Sequence, residues 1–157
     1  MRDRVIEQES RSAGHGSAAT VDAMTVSISG VHVLVDDVDA AISFYRDYLG
    51  LAVVDEVTQG EFRGVTLTTA SQPEIQIVLS QPHAGRSAED GDTLAALLAK
   101  GTLQMIQFRT DDLAGSFDKL ASAPGVEVLQ EPMDQFWGVR DAAVRDPAGN
   151  MIRIAQA

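Results

Sequence analysis

The sequence predicts an α+β fold in which two tandem βαβββ modules form a concave mixed sheet with a central trough. Three observations carry this expectation. Short runs with the two-residue apolar alternation of a half-buried strand recur along the chain, separated by turn residues. Two helical segments each follow a strand and an acidic capping residue, Asp37 and Asp112. The whole arrangement repeats at a spacing of 75 residues, which sets Asp37 against Asp112, Val38 against Leu113, Ile42 against Phe117, Gly50 against Gly125 and Val53 against Val128. A helix followed by a three-stranded meander covers one face of its own sheet and leaves the other free. Two free faces side by side make a trough, lined by residues that alternate away from the helices.

The elements follow in order. Residues 1–24 are polar and rich in Ser, Ala and Gly, and read as a flexible tail holding a solvated His15. Residues 25–157 read as one domain, with modules of about 25–82 and 101–157 joined by 83–100. Val26–Val35 is a strand with Val31, Val33 and Val35 on one face and Gly30, His32 and Leu34 on the other. Val38, Ala41, Ile42 and Tyr45 then recur at helical spacing until Gly50 ends the helix. Three strand-like runs follow, "LAVVDEV", "FRGVTLTT" and "EIQIVLS". Residues 81–92 form a polar loop, and "TLAALLAK" is a short helix beneath it. The second module runs through the strand "TLQMIQFRT", the helix "LAGSFDKLAS", the strand "VEVLQ", an irregular link "EPMDQFW", the strand "GVRDAAVRD" and a last strand after Pro147-Ala148-Gly149. Pro147 suits the second position of that turn, and Gly149 the positive φ that the hairpin needs.

Composition narrows the partners. With 12 basic against 23 acidic residues the net charge is −11, the wrong sign for nucleic acid or an anionic membrane surface. No apolar run approaches the roughly 18 residues of a membrane span. The chain has no cysteine, so disulfides and thiolate chemistry are excluded, in keeping with a cytoplasmic protein. No Ser-His-Asp arrangement and no phosphate-binding glycine loop is present.

"FYRDYLGL" after a strand and a capping Asp, a second strand–Asp–helix unit, and "RDPAGNMIRI" near the end resemble the vicinal oxygen chelate superfamily over about residues 26–156. That group includes glyoxalase I, extradiol dioxygenases, fosfomycin-inactivating enzymes and bleomycin-binding resistance proteins. The resemblance implies a small-molecule site in the trough and a homodimer. In its metal-dependent members it also implies a divalent cation held by the first and last strands of each module. The first-strand histidine of such members lies seven residues before the capping Asp, which here falls on Gly30 and, in the second module, on Met105. The last-strand glutamate falls on Arg153, with Gln76 as its first-module counterpart. Glycine offers no side-chain donor, a thioether suits copper(I) rather than harder cations, and a guanidinium has no lone pair to give. The resemblance therefore points to a member lacking the usual metal ligands, with no cofactor expected.

The remaining candidates fill the trough. Arg153 pairs with a carboxylate such as Glu74 or Glu61, anchors an anionic or carbonyl group of a ligand, or escapes to solvent. His32 is a metal ligand on a shifted register, a hydrogen-bonded trough histidine, or a group that contacts ligand and moves a proton. Gln76, His32 and Gln107 make a neutral hydrogen-bonding floor, and Met105 an apolar liner. Phe62, Phe136 and Trp137 either stack on a planar ligand at the rim or plug the end of the trough. The expected function is metal-free binding of a small organic molecule, like the drug-sequestering resistance proteins of this family. The alternative is a glyoxalase-like lyase, isomerase or dioxygenase. That enzyme would be metal-dependent, or would use His32 as base with Arg153 stabilising a developing anion.

Overall fold

A computed structural model describes residues 24–157, so the expected tail and His15 lie outside the described residues, apart from Met24. Strand β1 (Gly30–Leu34) leads to α1 (Val38–Ile42), which continues as a π-helical turn over Ser43–Tyr48. Strands β2 (Ala52–Gln59), β3 (Phe62–Thr68) and β4 (Gln76–Ser80) complete the first module. Helix α2 (Ala88–Ala99) links it to β5 (Met105–Thr110), α3 (Leu113–Ala121), β6 (Glu127–Asp134), β7 (Arg140–Arg145) and β8 (Met151–Gln156). The first sheet has the order β1-β4-β3-β2 and the second β5-β8-β7-β6, so the two βαβββ modules share one topology. In each, the first and last strands pair in parallel and the remaining pairs are antiparallel.

The helix starts are set by the acids the sequence singles out. Asp37 accepts from the Ala40 amide at 3.0 Å and Asp112 from the Gly115 amide at 3.0 Å, each satisfying a first-turn donor that has no partner inside the helix. Gly50 and Gly125 end their segments at φ +84° and +76°, a conformation that costs a side-chain-bearing residue dearly. In the first module the Leu49 amide donates to the Phe44 carbonyl, five residues back, at 3.0 Å. This wider turn lets Phe44 and Tyr45 both be buried, with their rings edge to face at 4.9 Å. The core sits between each helix and one face of its sheet. Val33, Val65, Leu67 and Leu79 are buried on that face of the first sheet, as are Ala142, Val144, Ile152 and Ile154 on that of the second.

Three boundaries differ from the sequence expectation. The first strand begins at Gly30 rather than Val26, because residues 24–28 pair with no strand among the described residues; Met24, Val26 and Ile28 are 91%, 86% and 66% exposed. The helix of the linker starts at Ala88, not Thr93. Ser87 caps it by accepting from the Asp90 amide at 3.1 Å, and Glu89 and Asp90 favour the positive end of the dipole. The stretch "EPMD" is strand, not link: β6 runs through it with register shifts on either side of Gln130. Pro132 lies within the second shift and β6 is the edge strand, where a residue without an N–H is tolerated.

The modules are joined by polar contacts between residues far apart in the chain. Asp146 Oδ1 accepts from the amides of Ala148, Gly149 and Asn150 at 3.0, 2.9 and 2.8 Å, closing the β7–β8 turn. Its Oδ2 accepts from the Tyr45 hydroxyl of the first module at 2.6 Å. Asn150 Nδ2 donates to the Leu34 carbonyl at 2.8 Å. The Gln104 amide serves the open edge of β1, accepting from the Leu34 N–H at 2.8 Å and donating to the His32 carbonyl at 3.3 Å. Gly149 adopts φ +115°, as its place in the turn requires.

Candidate functional site

Strand pairing sorts the trough-facing residues into rows. On the first sheet His32 pairs with Val78, which pairs with Thr66, and Gly30 pairs with Gln76, which pairs with Thr68. On the second, Met105 pairs with Met151, which pairs with Arg145, Gln107 with Arg153, which pairs with Ala143, and Arg109 with Ala155, which pairs with Asp141. The pairing corrects one equivalence drawn from the sequence. At the 75-residue spacing the counterpart of Gln76 is Met151, and Arg153 stands one row further along, beside Gln107. The four positions Gly30, Gln76, Met105 and Arg153 thus do not form one symmetric layer.

Arg153 points away from the helix side and is a quarter exposed, and it meets a carboxylate that is neither Glu74 nor Glu61. Both of those sit in connections of the first module, whereas Asp141 lies on β7, diagonal to Arg153. Arg153 Nη1 donates to Asp141 Oδ2 at 2.8 Å and to Gln130 Oε1 at 3.4 Å. The Asp141 side chain is only 3% exposed. Its Oδ1 accepts from Gln130 Nε2 at 3.0 Å and Gln135 Nε2 at 2.8 Å. Burial by itself raises the Asp141 carboxyl; the hydrogen bonds from Gln135, Arg153 and Gln130 outweigh it and hold the group below the usual carboxylate value. Asp141, Gln130 and Gln135 escaped the sequence reading. Counting outward from the turn at Pro147-Gly149 puts Asp141 two residues off the position opposite Arg153, and that was the available signal.

The other candidates are spread over the molecule. Gln107, Arg153 and Trp137 line one groove of ≈ 1370 Å³, which also reaches Val31 and Ile77 of the first module. His32 and Gln76 lie on the first sheet outside that groove, both exposed. Among the described residues the His32 ring has no side-chain hydrogen bond; its backbone carbonyl serves Gln104. Met105 is exposed at the start of β5, and Phe62 is half-buried at the start of β3. Phe136 and Trp137 occupy the tip of the β6–β7 hairpin, edge to face at 4.7 Å and 97% and 55% exposed.

Gly30, Gln76, Met105 and Arg153 together bring one amide oxygen, one thioether and one fixed cation. That donor set does not fit Zn²⁺, Mg²⁺, Mn²⁺ or Fe²⁺, and a guanidinium about 4–6 Å from a dication repels it. Among the described residues, no three His, Cys, Asp or Glu side chains lie close enough together to hold a metal ion.

A fold of paired βαβββ modules with its polar residues on the faces turned from the helices defines a class that hosts both enzymes and binders. The chain belongs to the Glyoxalase/Bleomycin resistance protein/Dioxygenase superfamily, whose model matches residues 27–154. Among curated proteins it is 27% identical over 124 residues to the "Uncharacterized protein YurT" of Bacillus subtilis, covering 79% of this chain and 94% of that one. Among solved structures it is similar to UcmS2, at 28% identity and TM-score 0.74, over 85% of this chain and all of the other. TnmS3, described as an antibiotic binding protein from Streptomyces sp. CB03234, shares the fold at 24% identity and TM-score 0.64, over 85% of this chain and 98% of that one. No helix among the described residues is long and apolar enough to cross a membrane.

Proposed function

We propose that the protein binds a small organic molecule in its trough without a metal ion and holds it unchanged, as the drug-sequestering members of its family do. The observation that carries this reading is the Arg153–Asp141 pair. Where metal-dependent relatives present a carboxylate, this chain presents a cation already engaged by its own buried carboxylate. The aromatic tip, Phe136 and Trp137, supports the same reading, because exposed rings beside a groove offer a planar ligand a stacking surface. TnmS3 is named for binding an antibiotic, which suits the reading, although at 24% identity its likeness speaks for the fold alone. We further propose that the working unit is a homodimer. Val54, Val57 and Met133 are exposed apolar side chains away from the groove, which a second copy would cover.

Trp137 is the sole tryptophan, so its emission reports on the groove. A thermal-shift screen of planar aromatic compounds, followed by Trp137 quenching and recovery of each hit intact, tests the binder. Hits recovered chemically changed, with turnover lost in His32→Ala, would instead establish the glyoxalase-like enzyme. Stoichiometric Zn²⁺, Ni²⁺, Mn²⁺ or Fe²⁺ in protein purified without chelator would refute the metal-free reading.

A further inference from the structure

The charge of Arg153 is spent on Asp141, yet the same face of the second sheet holds a second guanidinium. Arg109 lies two residues beyond Gln107 on β5, so it points to the same side as Gln107 and Arg153. It is exposed, and among the described residues it takes part in no ion pair and no side-chain hydrogen bond. Its row reads Arg109, Ala155, Asp141 across β5, β8 and β7. Strands are spaced by about 4.8 Å, so Arg109 and Asp141 stand roughly 10 Å apart with only the methyl of Ala155 between them. Arg153 and Gln107 border this notch on one side, and Trp137 lines the same groove.

The charges decide what fits there. Asp141 is buried, and both its oxygens already accept hydrogen bonds. Arg145 on the same face is paired with Glu127 at 3.5 Å. Among the described residues, one unpaired positive charge remains on this face, Arg109, in a chain of net charge −11. We propose that the notch over Ala155 is an anion subsite: Arg109 donates to a carboxylate of the ligand, the exposed edge of Arg153 and the Gln107 amide border it, and the planar body of the ligand lies toward Trp137. The ligand class is thus an aromatic acid. This rests on the trough being a ligand site, and adds to that reading the charge the ligand must carry.

The test uses naphthalene-2-carboxylate and its uncharged analogue, naphthalene-2-carboxamide, titrated by calorimetry at low salt with Trp137 emission as the local reporter. The carboxylate binds the full-length protein roughly tenfold more tightly than the amide, the worth of one charge-assisted hydrogen bond in a part-exposed site. Arg109→Gln removes that preference and leaves amide affinity unchanged. Arg140→Gln makes the same change in net charge on the other face of β7 and keeps the preference. Equal affinity for the two probes, or a preference that survives Arg109→Gln, overturns the anion subsite while leaving the trough a binding site. Binding of neither probe also overturns it, and neutral hits from the thermal-shift screen would then still sustain the broader reading.

Discussion

Replacing Arg153 with methionine leaves Asp141 buried without its cation while keeping most of the side-chain volume. Breaking a buried ion pair costs about 3–5 kcal/mol. Arg153 is a quarter exposed, so water already screens the pair, and Asp141 keeps two amide donors, Gln130 and Gln135. The discounted cost of Arg153→Met is about 2 kcal/mol. Asp141→Asn costs less, about 1 kcal/mol, because the freed guanidinium reaches solvent. The double variant falls short of the sum by about 1 kcal/mol, since the second change removes a partner already lost. Urea unfolding of the four proteins at neutral pH gives these differences from the midpoints, provided the slopes agree. The pH dependence is a second readout. The Asp141 carboxyl is held below its ordinary value, so its contribution is fully present above about pH 4 and is lost as pH falls through its lower folded value. Wild type therefore loses this increment in acid, and Asp141→Asn does not. Single-variant effects that add to within about 0.4 kcal/mol would refute the pairing, and with it the argument that Arg153 is spent.

Tyr45→Phe removes the hydroxyl that joins the modules at Asp146. It lowers stability by about 1–3 kcal/mol in thermal unfolding, and an unchanged midpoint would show that the link is not formed. The Tyr45 phenol is raised well above its ordinary value, first by burial and then by Asp146, so an absorbance titration will not find it ionising with exposed tyrosine. Gln104→Ala opens the edge of β1, and hydrogen exchange at the Leu34 amide speeds up while that in β3 does not. Trp137→Ala changes stability by less than about 0.5 kcal/mol, because the ring is over half exposed, yet it weakens every ligand that quenches Trp137 in wild type; retained affinity would remove the ring from the site.

The fold was legible because its determinants are local and repeated. Capping acids, apolar helix faces and terminating glycines act within a few residues of themselves, and the 75-residue offset supplied each twice. The first turn of the helix at Ala88–Ala99 was missed for the converse reason. That turn, "AEDG", is polar and carries a glycine, so composition pointed to a loop, while the Ser87 cap three residues before Asp90 pointed correctly to a helix. The site was less legible because its chemistry lies between strands. Only the β7–β8 pairing, counted outward from the Pro147–Gly149 turn, brings Asp141 to Arg153.

That same pairing changes what the trough can recognise. Read along the chain, Arg153 is the conspicuous cation, because it stands where relatives carry a metal-binding carboxylate, and Arg109 is one more polar residue of an edge strand. Read across the sheet, the order reverses. Arg153 is neutralised by a carboxylate two strands inward from Arg109, and Arg109 is left facing the groove beside a residue no larger than alanine. Losing the metal ligands thus need not leave the pocket without electrostatic preference. On the proposed reading, the attraction a bound dication exerts on an acidic ligand falls to the Arg109 guanidinium, displaced by one row and one strand from where the family pattern would have placed it.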